Sequence, residues 1–165
     1  MKGTNRLAVL GLVTTLALIL SYVESLIPVF VGIPGVKLGL ANLATVFLLY
    51  RYTLKDTILV VIVRVFISGF MFGNLMSITF SLAGGLLSVV VMAALKRTQA
   101  FSVMGVSIVG GCMHNIGQLI IAAFVVSASA LVYYVPALLI SGVITGLLIG
   151  IGADILIKRL PRFRD

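Results

Sequence analysis

The chain has 165 residues, is 61% hydrophobic and 10% charged, and carries a formal net charge of +8 with a mean hydropathy of +1.28. Those figures exclude a soluble globular domain and describe an integral membrane protein. At roughly 20 residues per span, the length accommodates about six helices in one transmembrane domain, residues 1–165, and leaves no room for a soluble one.

Lys2 and Arg6 precede the first apolar run, which predicts a helix over about 7–22. No small-x-small cleavage pattern follows it, so it reads as a retained helix and not a signal peptide. Two rows of small residues mark this helix: Ala8, Gly11 and Thr15, then Thr14, Ala17 and Ser21. Such rows let another helix approach closely, either within the chain or from a different membrane subunit. Glu24 follows at the far end. Residues 25–37 hold Pro28, Gly32, Pro34 and Gly35, which break a helix, among apolar residues that predict a loop folded back over the bundle. The second helix, about 38–50, rises only about 20 Å, less than the roughly 30 Å hydrocarbon core, so it sits low or its preceding loop dips into the membrane.

A polar turn, residues 51–56, leads to a helix over about 57–72 with Arg64 near its middle and Ser68 and Met71 at the following turns. An arginine at membrane depth faces a water-filled cavity or an anionic partner, or forms a structural ion pair. Gly73 and Asn74 turn the chain into a helix over about 75–95 with the small-residue row Ser77, Ser81, Gly85 and Ser88, closed by Lys96 and Arg97. The fifth helix, about 101–126, places Ser107, Gly111, His114 and Gln118 on one face with Asn115 beside them. A lone histidine in a helix is usually a packing residue, but three polar side chains within five residues at this depth point to a ligand. The sixth, about 136–157, carries Gly142, Gly146 and Gly150 at strict fourth positions, a packing ladder. The lone Cys112 excludes a disulfide framework.

Six helices put both termini on one side, together with Lys2, Arg6, Arg51, Lys55, Lys96, Arg97, Lys158, Arg159, Arg162 and Arg164, ten of the twelve basic residues. An excess of basic residues marks the cytoplasmic face, so both termini are expected in the cytoplasm of a bacterial cell, with the chain multi-pass in its inner membrane. These charges lie at helix ends without interleaved aromatics, and no nucleic-acid partner is expected. The lipid bilayer is the evident environment. No metal cluster, phosphate-cradling loop or nucleophilic triad is visible; prenyl synthase chemistry in particular needs Asp-rich magnesium motifs that this sequence lacks. The expectation is therefore a non-enzymatic protein with no cofactor and no metal. The substrate-binding candidates are Glu24, Lys37 and Asn42 at the outer mouth, with Arg64, His114, Asn115 and Gln118 beneath. Arg64 and Lys37 suit an anionic group, and the amides and imidazole suit a heterocycle or other polar headgroup. Two other uses stay open: Lys37 snorkelling to headgroups, and a Glu24–Lys37 pair closing the loop.

The runs Pro34-Gly35-Val36-Lys37-Leu38-Gly39-Leu40-Ala41-Asn42 and His114-Asn115-Ile116-Gly117-Gln118 resemble the bacterial family named after component I of heptaprenyl diphosphate synthase, also called the Gx transporter family. The resemblance covers nearly the whole chain. It implies an all-α, six-helix bundle similar to the substrate-binding S components of energy-coupling factor (ECF) transporters. Such proteins bind a vitamin-like molecule beneath the loop after the first helix and dock on a transmembrane coupling subunit driven by two ATPases. Their docking motif, Ala-x-x-x-Ala, has its nearest match here in Gly11-x-x-x-Thr15 preceded by Ala8. The resemblance further implies a small anionic substrate, flavin or isoprenoid/quinone-related. A non-catalytic membrane partner of a prenyl diphosphate synthase is the alternative.

Overall fold

In the computed structural model, residues 3–27, 38–125 and 132–160 are described. They form six helices and one 3-10 turn, Val132–Tyr134: α1 (Gly3–Leu26), α2 (Asn42–Arg51), α3 (Leu54–Phe72), α4 (Leu75–Thr98), α5 (Val103–Val125) and α6 (Val135–Arg159). Four of them, α1, α4, α5 and α6, are long and apolar enough to cross a membrane, which makes this a multi-pass membrane protein. Of the six spanning helices expected, all six are present as helices and these four have the length and composition to span. At 10 residues, α2 rises only about 15 Å and cannot cross the core alone. The 19 residues of α3 are long enough, but Lys55, Asp56 and Arg64 lie among them.

Helix ends follow local chemistry. Thr53 and Asp56 form a reciprocal capping box at the start of α3, Asn74 Oδ1 accepts from the Ser77 N–H at 2.8 Å to start α4, and Pro136 opens α6. Basic residues stand in the last turns of α2, α4 and α6, where the exposed carbonyls concentrate negative potential. Two boundaries differ from the sequence reading. α1 runs on to Leu26, so Glu24 sits in its last turn and not beyond it. α2 begins at Asn42, because Gly39 adopts φ +71, a left-handed conformation that no regular right-handed helix includes.

The helices pack in series, α1–α3–α4–α5–α6, and curve about α2, which touches α1, α3, α6 and, lightly, α4 and so bridges the two ends of the series. Its residues Ala44 to Leu49 are all buried, as expected of a helix apolar on every side. One core joins Val46 and Leu49 of α2 to Val61, Val65, Val89, Met92, Val106 and Ile149. A second joins Phe47 and Leu48 to Leu10, Val13 and Ala17 of α1 and Val60 of α3.

The tightest seam is α5 on α6, where the predicted ladder lies. A Cβ at Gly146 would sit 2.7 Å from Ile108 Cα, and one at Gly150 would sit 2.8 Å from Met104 Cα, so the backbones meet only because side chains are missing. The two small-residue rows of α1 part company. Ala17 is buried, with Thr14 and Ser21 half-buried beside it, whereas Ala8, Gly11 and Thr15 are exposed. A Cβ on Gly11 would meet nothing within 4 Å among the described residues, so that row packs on none of the described helices.

Candidate functional site

Because α2 is short and starts at Asn42, the five surrounding helices outrun it at the end of the bundle away from the basic residues. The space above its N-terminus is a cavity of ≈ 200 Å³, well above the roughly 10–15 Å³ needed to admit a single water. Its walls are polar for a membrane protein. Ser21, Glu24 and Ser25 come from α1, Arg64 and Ser68 from α3, Ser77 and Ser81 from α4, Gly111, His114 and Asn115 from α5, and Thr145 from α6, with Gly39 and Asn42 at the floor. A smaller void of ≈ 20 Å³ lies against the same Gly39, Asn42, Gly111 and Thr145 and reaches Ser88 and Ser107, enough for about one water.

Arg64 is the buried charge of this cavity, 8% exposed. Its Nη1 donates to Ser21 Oγ at a long 3.5 Å, and its buried Nε has no partner among the described residues. Glu24 is the opposite charge acting on it. The Glu24 carboxylate also accepts from the Gly39 N–H at 2.5 Å, tying the end of α1 to the turn that precedes α2. The left-handed φ of Gly39 presents that N–H, and a Cβ there would crowd Asn42 Nδ2 at 3.2 Å.

On α5, Asn115 is buried and its Nδ2 donates to the Leu138 carbonyl of α6 at 2.6 Å, so half of its amide is used to hold two helices together. His114 Nε2 and Gln118 Nε2 stand 3.3 Å apart. A Cβ on Gly84 of α4 would collide with the His114 carbonyl at 2.6 Å; this glycine lets α5 come close enough to place His114 on the cavity wall. Among the described residues no group of three or more His, Cys, Asp or Glu side chains gathers to hold a metal ion.

Of the seven residues singled out in the sequence, Glu24, Asn42, Arg64, His114 and Asn115 line one cavity. Gln118 lies one turn beyond it, against His114 and Gly84. Lys37, and with it the Glu24–Lys37 pair, lies outside the described residues. Met71, grouped with Arg64 by periodicity, is 73% exposed and faces away from the bundle, although its neighbour Phe72 still packs on Tyr22. Sequence reasoning missed the serines and Thr145. Ser77 and Ser81 were visible as a small-residue row, but a row does not say whether it faces a helix or a void. At the rim, Tyr22 and Phe72 meet edge to face with centroids 5.8 Å apart.

At the opposite end the charges are engaged by the protein. Arg6 grips both Asp56 oxygens at 2.7 Å. Burial pushes the Asp56 carboxyl up, but hydrogen bonds from Thr53 and Arg6 outweigh it and hold the group below the usual carboxylate range. Arg51 donates to the Ile157 and Leu160 carbonyls at the end of α6, and Lys96 to the Leu49 carbonyl at 2.6 Å.

No characterised protein and no solved structure matches the chain. The family model described as heptaprenyl diphosphate synthase component I matches residues 13–156. That span takes in every described residue of the cavity, leaves out the N-terminal part of α1 before Val13, with Ala8 and Gly11, and the last three residues of α6, and the chain belongs to this family.

Proposed function

We propose that the protein is a substrate-binding membrane subunit of an energy-coupling factor type transporter, similar to an S component. In this reading residues 1–165 form a single transmembrane domain of the bacterial cytoplasmic membrane with both termini inside. The cavity takes up a small anionic metabolite from the outer side, with flavin or isoprenoid/quinone-related compounds as the classes the resemblance implies. The observation that carries the reading is the cavity itself, ≈ 200 Å³ bordered by hydroxyl, amide and charged side chains as well as Ile27, Val65 and Phe72, around a buried arginine whose Nε has no partner among the described residues. A protein that needed only to stay in the membrane would gain nothing from a buried, under-bonded charge, which is costly in hydrocarbon. The exposed row Ala8, Gly11 and Thr15 supports the second half of the proposal, contact with a transmembrane coupling subunit that is itself driven by ATPases, since small residues on an outward face allow close helix approach.

A second reading is favoured by the family's description: a non-catalytic membrane partner of a prenyl diphosphate synthase. Purification in mild detergent followed by mass spectrometry of the bound proteins separates the two. Co-purification of a membrane coupling subunit and an ATPase pair, reduced in Gly11→Leu, is the expected result. A soluble prenyl synthase at fixed stoichiometry with no ATPase would overturn the transport reading in favour of the second. Gly11→Leu is the probe because a Cβ at that position meets no atom of the described residues within 4 Å.

A further inference from the structure

We infer that the void of ≈ 20 Å³ beneath the larger cavity is a binding site for one ordered water, which forms part of the cavity floor and holds Asn42 in place. This goes beyond the binding role proposed above and does not depend on it. The void lies where α2, α4, α5 and α6 meet, bordered by Asn42, Ser88, Ser107 and Thr145, while Val46, Met92 and Ile149 close its apolar side. Glycines on its border keep the seam tight around it. A Cβ on Gly146 would meet the Ser107 carbonyl at 2.7 Å, and one on Gly110 would stand 3.2 Å from Ser88 Oγ.

The hydrogen bonds around the void call for that occupant. Ser107 is 3% exposed, and among the described residues its hydroxyl has no hydrogen-bond partner. A hydroxyl left so in the interior costs free energy, and ordered water is the usual partner of such a group. The Asn42 side-chain amide is likewise without a partner among the described residues. The other two hydroxyls have spent their protons: Ser88 donates to the Gly110 carbonyl at 2.8 Å and Thr145 to the Ser141 carbonyl at 2.9 Å. Both oxygens remain acceptors. Ser107 and Asn42 supply donors, Ser88 and Thr145 supply acceptors, and the space admits about one water, which needs about two to four such partners. A sodium ion would use the oxygens alone and would sit at the first turn of α2, where the helix presents positive potential. The neutral molecule is the better occupant.

Asn42 and Thr145 border both the void and the larger cavity, whereas Ser88 and Ser107 border only the void. A water bonded to Asn42 from below fixes the turn of its amide and leaves the remaining hydrogen-bonding capacity of that amide to the cavity. Ser88 and Ser107 are therefore positioning residues, acting on Asn42 through the water.

The test is a crystal structure of the full chain, grown in lipidic mesophase and sharp enough to show waters, once in sodium and once with choline in its place. The expected result is a density peak in the void, present in both media, about 2.5–3.2 Å from most of Ser88 Oγ, Ser107 Oγ, Thr145 Oγ1 and the Asn42 amide. In Ser107→Ala the peak is expected to be lost and the Asn42 amide to turn, with the backbone unmoved. Should that variant fail to fold, Ser107→Cys, which keeps the shape and weakens the donor, takes its place. A peak lost in choline would identify a cation and overturn the inference. So would a void without density in which the Ser107 hydroxyl has turned onto the Val103 carbonyl. A variant that keeps both the peak and the Asn42 orientation would overturn the positioning role. None of these outcomes bears on the transport reading, which the co-purification experiment decides separately.

Discussion

At the end of the bundle where α2, α4 and α6 finish, cations are spent on the protein itself: Arg6 on Asp56, Arg51 on the last carbonyls of α6, Lys96 on the last turn of α2. Toward the other end Arg64, more deeply buried than any of these, has among the described residues one long bond and no partner for its Nε. A charge that binds helix ends or a capping-box carboxylate stabilises the fold. One held near a void in a low-dielectric setting costs the fold something, and its retention points to use by a ligand. On the binding role proposed for Arg64 the two ends differ in what each charge is for, and that is tested by comparing stability with binding.

The largest loss of stability is expected at the engaged end. Asp56→Ala removes the α3 capping box and the Arg6 contact together and should lower stability by about 2–3 kcal/mol, read as a drop in melting temperature, with ligand affinity unchanged. The same group gives the pH response. Its folded-state pKa lies below the unfolded value, so its contribution is fully present above the unfolded pKa and is lost as pH falls through the folded one. Thermal melts of the wild type should show stability decreasing across that acidic window, and Asp56→Ala should flatten the response. An unchanged profile in the variant would show that other groups control it.

A smaller effect is expected at Gly39, which belongs to both accounts. Gly39→Ala forces a side chain into the left-handed region beside Asn42 and should cost about 1–2 kcal/mol. It should also weaken ligand binding by displacing the N–H that Glu24 holds; a stability loss with intact affinity would confine this residue to the fold. The smallest effect on stability is expected at Arg64. Arg64→Ala should change the folding free energy by less than about 1 kcal/mol while abolishing ligand binding and removing any small molecule that co-purifies. A large drop in melting temperature would instead make Arg64 a structural charge and remove the contrast between the two ends.

Composition alone determined that the chain lives in a membrane, because no soluble core can hide this fraction of apolar surface. Helical periodicity located all six helices to within a few residues, and the shortness of α2 was legible from its hydrophobic run. The glycine ladder of α6 was legible as a packing face, since three glycines at every fourth position line one side of a helix whatever it meets. Polar residues at membrane depth named Arg64 and His114 as candidates for the same reason: hydrocarbon tolerates few of them.

What only the tertiary structure decided was which faces look at each other. Periodicity sorts residues around one helix axis but carries no information about the neighbour, so two similar small-residue rows on α1 gave no hint that Thr14, Ala17 and Ser21 turn inward while Ala8, Gly11 and Thr15 turn out. It could not show that Asn115 reaches the Leu138 carbonyl, that Glu24 holds the Gly39 N–H, or that the serines of α1, α3 and α4 face a common void. That void exists because a ten-residue helix stands among longer ones, and a mismatch in length becomes a cavity only once the helices are packed side by side.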